Sequence, residues 1–87
     1  MAKVFIPASL RSLADGTREI DLPGETVRDV VWALEARYPS LVGRLREGDS
    51  LRPGLCVAID TRVSIQGLRQ AVTPACEVHF LPAIGGG

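Results

Sequence analysis

One amphipathic helix pattern, in the middle of a chain of only 87 residues, constrains the fold most. Apolar residues recur at positions i, i+3, i+4, i+7 and i+11, which form a single stripe on the 3.6-residue period of an α-helix. These residues are Val27, Val30, Val31, Leu34 and Tyr38. Because such a stripe must be buried against another layer, the short segments on either side have to supply that layer.

Both ends of the predicted helix are marked by the sequence. Thr26 is a favourable N-cap, and Asp29 stands where it can imitate a capping box with its shorter carboxylate. Its negative charge in the first turn also suits the helix dipole. Pro39 ends the helix, because the residue before a proline is pushed out of the α region. Trp32 lies off the apolar stripe, which indicates either cover by a neighbouring loop or contact with a partner.

Short strand patterns flank the helix on both sides. Segment 3–7 is rich in β-forming residues, and 17–22 alternates polar and apolar residues. Segment 55–59 is almost wholly apolar, as in a strand covered on both faces, and strands over 62–65 and 77–81 follow. A short helical turn is expected over 41–46 and a loop over 47–54. The order β-β-α-β-β-β predicts an α+β fold, with a mixed four- to five-stranded sheet and one main helix packed across one face.

Alternation along the strands separates a core face of the sheet from an outer face. The strand residues expected to pack against the helix are Val4, Ile6, Ile20, Leu22, Val57, Ile59, Val78 and Phe80. The residues expected on the outer face are Phe5, Ala58, Glu77, His79 and Leu81. Phe5 and Leu81 would form an apolar patch suited to a partner protein, unless one of them tucks under a loop.

Composition excludes several classes of function. Ten basic and ten acidic side chains give a net charge of zero, which argues against a nucleic-acid module. No apolar run is long enough to cross a bilayer and no signal peptide is visible, so we expect a cytoplasmic protein without membrane contact. Two cysteines and one histidine cannot assemble a four-ligand metal site. Cys56 and Cys76 are interpreted as reduced, buried thiols, with a disulfide or a reactive thiol as the alternative.

The sequence ends in Gly85, Gly86 and Gly87, directly after an apolar stem. Such an end is either a frayed terminus or a tether that carries the terminal carboxylate into a partner's pocket. Glycine suits a tether, because the missing Cβ permits close approach of the backbone. Residues 82–87 reach about 20 Å when fully extended. We therefore expect a folded domain over 1–81 and a flexible tail over 82–87.

The terminal carboxylate is the group of this chain with the most distinctive chemistry. A carboxylate is a poor electrophile until it is joined to AMP, after which sulfur can displace the AMP. The chain has no phosphate-binding loop, so an enzyme must perform the activation. The sequence therefore indicates a carrier rather than an enzyme. Arg11, Arg62 and Arg69 either steer an acidic enzyme or are ordinary surface residues, and Lys3 is the one lysine.

Three features of the sequence resemble the ThiS/MoaD family of ubiquitin-like β-grasp sulfur carrier proteins. They are the order of the elements, the opening 6–11 (IPASLR) and the ending 81–87 (LPAIGGG). The resemblance covers essentially the whole chain, and Gly86 and Gly87 match the terminal Gly-Gly of the family. Gly85 stands where relatives often carry another small residue.

The resemblance implies a mechanism and a first partner. An adenylyltransferase/sulfurtransferase of the ubiquitin-activating type would use ATP to adenylate Gly87, and sulfur transfer would convert it to a thiocarboxylate. The chain itself would bind no cofactor. The stem and tail residues would lie in the partner's channel; they are Pro82, Ala83, Ile84, Gly85 and Gly86.

A second partner would consume the sulfur. In the cysteine branch of the family it is a pyridoxal-phosphate cysteine synthase, followed by a metalloprotease that releases cysteine. In the molybdenum-cofactor branch it is the large subunit of molybdopterin synthase, and in the thiamine branch it is thiazole synthase. The opening and ending motifs look most like the cysteine branch. Two other readings remain open: a protein modifier joined to lysines through Gly87, and a non-catalytic ubiquitin-like interaction module.

Overall fold

The computed structural model describes residues 1–82, which form a mixed sheet with one α-helix packed across it. The elements are β1 (Ala2–Phe5), β2 (Glu19–Leu22), α1 (Val27–Arg37), β3 (Arg46–Glu47), β4 (Ser50–Leu51), β5 (Leu55–Ile59), β6 (Arg62–Val63) and β7 (Glu77–Pro82). Short 3₁₀ segments occur at Ala8–Ala14, Pro39–Leu41 and Gly67–Arg69.

The main sheet has five strands in the order β2-β1-β7-β5-β6. β1 and β7 are parallel, and the other neighbours are antiparallel, so the predicted mixed sheet is confirmed. The strand nearest the end of the sequence is thus the central strand of the sheet. Its register sets Val4 beside Val78 and Phe5 beside His79.

The predicted limits of the helix are also confirmed. The Thr26 hydroxyl accepts a hydrogen bond from the Asp29 backbone N–H at 3.3 Å. The Asp29 carboxylate in turn accepts from the backbone N–H groups of Glu25, at 3.0 Å, and of Thr26, at 3.3 Å. This is a complete capping box. At the other end, α1 stops before Tyr38, the residue that precedes Pro39.

The core lies between α1 and the inner face of the sheet, as the alternation predicts. The helix stripe is buried along its whole length, and most of the strand residues assigned to the core are buried with it. Ile20 and Ile59 are the exceptions, since both are only partly buried. Ile20 lies on the edge strand β2 and Ile59 at the last position of β5, so each has neighbours missing on one side.

The connections depart most from the sequence-based expectations. Residues 41–46 form no helical turn of their own, and the expected loop over 47–54 contains the small hairpin β3-β4. Gly48, with a φ of 63°, makes the tight turn of this hairpin possible. β1 ends at Phe5 rather than Pro7, and β6 ends at Val63 rather than Ile65. Two-residue strands leave too little alternation for a sequence pattern to reveal them.

The hairpin β3-β4 is attached to the helix by a partly buried ion pair. The Arg46 guanidinium donates to Glu35 Oε1 from Nε at 3.0 Å and from Nη2 at 2.9 Å. Glu35 is only 7% exposed, and its other carboxylate oxygen has no hydrogen-bond partner among residues 1–82. The Arg46 guanidinium also lies 3.7 Å from the centre of the Trp32 ring, and Arg28 lies 4.8 Å from it. The two guanidinium groups therefore cover part of Trp32, as one of its two predicted environments requires, while 36% of its surface remains accessible to a partner.

Replacing Asp29 by Asn should make the stability of the protein less sensitive to acid. The hydrogen bond from the Glu25 backbone N–H is the main cause that lowers the pKa of the Asp29 carboxyl below its usual 3.8. Because the pKa is lower in the folded state, the ionised carboxylate stabilises the folded protein at pH values above the ordinary carboxyl pKa. This contribution is lost as the pH falls through the folded-state pKa. The wild type should be more stable than the variant near neutral pH, and the difference should vanish in acid.

Urea unfolding of both proteins across this pH range measures the difference. Asp21→Asn is the matched control, because its carboxylate accepts no backbone hydrogen bond within residues 1–82 and its substitution should change the unfolding free energy less. A difference between the wild type and Asp29→Asn that stays constant down to strong acid would contradict the linkage.

Replacing Arg46 by Met should loosen the hairpin from the helix. The variant leaves the Glu35 carboxylate buried without its partner, and the pair is part-exposed, so we expect a loss of about 2 kcal/mol in unfolding free energy. The emission of Trp32, the one tryptophan, should shift to the red as its cover is lost. Arg44→Met, at an exposed position of the same segment, is the control and should leave both readings unchanged.

Candidate functional site

The sheet face turned away from α1 is the candidate functional surface, because it carries the outward-facing residues of β7, the last strand of the described chain. We call it the outer face and define it by the alternate strand residues Lys3, Phe5, Glu19, Asp21, Cys56, Ala58, Val63, Glu77, His79 and Leu81. Because β7 is the central strand, the residues of its outer side occupy the middle of this face. The predicted partner residues Phe5 and Leu81 both belong to it.

A stacked aromatic pair lies at the centre of the outer face. The rings of Phe5 and His79 have centroids 4.3 Å apart and are tilted by only 7°. Each ring covers the other, so both residues are half-buried where the sequence pattern predicts full exposure. The His79 imidazole Nε2 also lies 3.2 Å from the Glu77 carboxylate. As predicted, His79 points away from the core side of its strand.

Leu81 is exposed and Ala58 is not. Leu81 retains 39% of its accessible surface, which confirms its predicted place on the outside of the sheet. Ala58, expected to be exposed, is only 4% accessible, so this expectation is wrong. Its methyl group is short, and its register neighbours His79 and Val63 flank it on both sides. A small side chain between two larger ones is covered by them.

The last strand extends one residue further than predicted. Pro82, assigned to the tail by the sequence, is the last residue of β7 and lies opposite Leu55 of β5. Proline has no backbone N–H to donate, which normally keeps it out of central strands. Here β1 pairs with β7 only as far as His79, so the strand has a single neighbour at Pro82. The other predicted tail residues, Ala83, Ile84, Gly85, Gly86 and Gly87, lie outside the described residues.

A shallow groove of about 480 Å³ runs beside the end of β7. Its walls include Phe5, Pro7, Leu81 and Pro82, and its polar side includes Arg11. A second groove of about 310 Å³ shares Phe5 and Arg11 with the first and continues toward Arg18. The two grooves adjoin at Phe5 and Arg11, and we call them together the tail-side groove.

Arg11 is one of the three arginines that the sequence analysis named as candidates for steering a partner. Its Nε donates to the Ile6 backbone carbonyl at 3.0 Å, which fixes the guanidinium beside the groove. Arg62 and Arg69 are not beside it, since they line other depressions. Sequence reasoning missed Arg18, because nothing in the chain order shows that residue 18 and residue 11 meet around Phe5.

The two cysteines lie in different environments. Cys76 is buried, and its sulfur accepts a hydrogen bond from the Thr73 backbone N–H at 3.4 Å. Cys56 is only half-buried, on the outer face beside Leu81, with its thiol 3.8 Å from the Pro82 carbonyl oxygen. Both are free thiols, so the prediction of burial is confirmed for Cys76 and wrong for Cys56. The short Cys56 side chain lies near the end of its strand, where fewer neighbours cover it.

Other kinds of site have less support in the described part of the chain. Within residues 1–82, no group of three or more His, Cys, Asp or Glu side chains could hold a metal ion. No helix in the same range is long and apolar enough to cross a membrane. A depression of about 640 Å³ beside the β5-β6 hairpin is larger than either groove alone, and of the residues considered for partner contact only Arg62 lines it.

Known proteins of similar sequence and structure agree on one family. The model of the ThiS family matches residues 4–87 of this chain. Small archaeal modifier protein 3 of Haloferax volcanii is 36% identical over 64 residues, which cover 71% of this chain and 70% of that protein.

Two solved structures are similar over nearly the whole fold. The Amycolatopsis orientalis BexX/CysO complex contains a chain that superposes with a TM-score of 0.89 at 26% identity, covering 100% of both chains. Mycobacterium tuberculosis CysO superposes with a TM-score of 0.84 at 27% identity, covering 97% of this chain and 100% of that one. The predicted ubiquitin-like β-grasp fold is thereby confirmed. The fold is that of a β-grasp sheet with one main helix, and the family match covers nearly the whole sequence. This chain therefore belongs to the ThiS family.

Proposed function

We propose that this protein is a sulfur carrier whose C-terminal Gly87 carboxylate is adenylated by a partner enzyme and converted to a thiocarboxylate. The observation that carries the proposal is the position of β7. This strand is held between β1 and β5 and brings the chain to Pro82 beside the exposed Leu81. The segment that follows therefore begins at a residue paired with β5, next to an exposed apolar side chain.

The proposed reaction has two displacements, both catalysed by the partner. In the first, the Gly87 carboxylate attacks the α-phosphorus of ATP, the acyl adenylate forms, and pyrophosphate leaves. In the second, sulfide attacks the acyl carbon, and AMP leaves with the electrons of the broken C–O bond. Where the sulfur comes from a persulfide, the first product is an acyl disulfide, and a thiol must then attack its S–S bond, release the thiocarboxylate and end in a disulfide with the donor sulfur. The role of this chain is to present an unhindered carbonyl. Glycine does so because no side chain obstructs entry into a narrow channel.

The carrier would act as a co-substrate rather than as an enzyme. ATP would belong to the activating enzyme, an adenylyltransferase/sulfurtransferase of the ubiquitin-activating type. A second partner would take the sulfur for biosynthesis. We favour a synthase of the cysteine branch over the large subunit of molybdopterin synthase. In the cysteine branch, a metalloprotease would act after the synthase. The similarity to CysO, including CysO in its complex with BexX, supports this preference and the proposal that the chain binds partner proteins.

A protein modifier is the second candidate, supported by the similarity to small archaeal modifier protein 3. It would use the same acyl adenylate, but a lysine amine of another protein would displace the AMP and form an isopeptide bond. The two functions share the first step and differ in the nucleophile of the second. The fate of Gly87 therefore distinguishes them.

Intact mass spectrometry should show a change confined to the end of the chain. We expect an oxygen-to-sulfur mass increase on the C-terminal peptide after incubation with the activating enzyme of the same organism, ATP and a sulfide source. Deletion of Gly87 is the control that removes the reacting carboxylate from its place, and it should abolish the increase.

The other outcomes are equally informative. Adducts of this chain on lysines of other proteins would support the modifier. An unchanged mass in the wild type, with no effect of deleting Gly87, would refute both the sulfur carrier and the protein modifier. The non-catalytic interaction module would then be the remaining function.

Replacing Leu81 by Glu should weaken docking without unfolding the domain. Leu81 is exposed, so its substitution leaves no cavity in the core. The new carboxylate would need to be desolvated in the proposed interface, and we expect kcat/KM for thiocarboxylate formation to fall by about tenfold. Ile65→Glu is the matched control, because Ile65 is an exposed apolar residue that lines neither part of the tail-side groove, and its substitution should have no effect. Equal losses in the two variants would contradict a specific role for Leu81.

A further inference from the structure

We propose that the tail-side groove binds an acidic segment of the activating enzyme, with a partner carboxylate at Arg11 and an adjacent apolar side chain between Phe5 and Leu81. The inference rests on the proposed function, because it names the chemistry of the surface that this partner presents. Nothing in it depends on the positions of residues beyond 82.

The charge of the groove favours an anionic occupant. Beside Leu81 and Pro82 its ionisable side chains are Arg11 and His79, and no carboxylate lines that part. The Arg11 guanidinium is held through its Nε, so its position is already fixed before a partner arrives. Within residues 1–82, no carboxylate lies within 4.0 Å of it. A fixed guanidinium can receive a carboxylate with two hydrogen bonds at little cost in side-chain entropy.

Arg18 adds a second cation where the groove continues past Phe5. The one acid that lines this part is Glu19, whose carboxylate lies 4.0 Å from the Lys3 ammonium. Arg18 itself has no carboxylate within 4.0 Å among the described residues. Its exposed guanidinium is therefore placed to attract an acidic segment that approaches the base of the tail.

The sign of the charge changes along the outer face. At the end remote from the tail, the register neighbours of Lys3 are Asp21 and Glu77, so two acidic residues flank one basic residue. At the tail end, the guanidiniums of Arg11 and Arg18 predominate. An acidic segment would be attracted to the tail end and repelled from the other, which gives the partner one orientation on the face.

The apolar part of the groove favours an apolar side chain next to the carboxylate of the partner segment. The Phe5-His79 stack forms a flat surface, and the exposed Leu81 borders it. An aliphatic or aromatic side chain seated there would supply affinity, while the carboxylate would supply direction and speed of encounter. We therefore infer a partner segment in which acidic and large apolar residues are adjacent.

The test measures KM and kcat for thiocarboxylate formation, by intact mass, with the activating enzyme of the same organism. Arg18→Glu reverses an exposed charge, and Arg11→Gln removes the fixed one. We expect each variant to raise KM by about tenfold and leave kcat within about twofold, because charge complementarity acts on encounter and specificity. Added salt should raise KM of the wild type more than that of Arg18→Glu. Arg11→Lys retains the charge and should recover part of the loss.

Arg62→Glu is the matched control, since Arg62 is an exposed arginine on β6 at the opposite edge of the sheet. An unchanged KM in Arg18→Glu and Arg11→Gln, or an equal rise in Arg62→Glu, would overturn the groove assignment while the mass increase of the wild type still upheld the carrier function. Absence of any mass increase in the wild type would instead refute the proposed function. Circular dichroism shows whether Arg11→Gln is folded. If it is not, Arg18→Glu still tests the groove, because Arg18 is exposed and its substitution should not unfold the domain.

Discussion

The parallel pairing of β1 with β7 is the interaction on which the rest of the structure depends. It places the last strand of the described chain at the centre of the sheet, with β1 on one side and β5 on the other. A parallel pair cannot be closed by a tight turn, so the helix and the β3-β6 region must lie between the two strands in the sequence. Val78 and His79 of β7 are therefore paired on both sides, and residues 80–82 are paired with β5 alone.

This placement gives the two faces of the sheet different residues. The inner face buries the helix stripe and carries the stability of a small domain. The outer face carries an aromatic stack, an exposed leucine and a groove with one fixed cation, Arg11, none of which the core requires. Stability and the proposed partner recognition thus use opposite sides of the same strands. Substitutions on one side can be made with little effect on the other, which is why the outer face suits experiments on docking.

Patterns that repeat over many residues were predictable from the sequence. The helix from Val27 to Arg37 has three turns of periodic apolar residues and a capping box, so its limits were predicted within a residue. The hairpin β3-β4 was missed, because two-residue strands contain no period. The burial of Glu35 was missed for a related reason, since its partner Arg46 lies eleven residues away on a different element. Arg18 was missed for the same reason, since Phe5 and Arg11, which line the groove with it, lie on other elements.

The sequence by itself determined the fold class, the helix, the core face and the terminal glycines, because these depend on composition, period and order along the chain. Only the tertiary structure decided that Phe5 stacks on His79, that Ala58 is covered, that Pro82 belongs to the last strand and that Arg11 lines the groove with Leu81. Each of these facts is a contact between residues distant in sequence. The physical reason is register: the alignment of two strands fixes which side chains meet, and that alignment is set by the packing of the whole sheet.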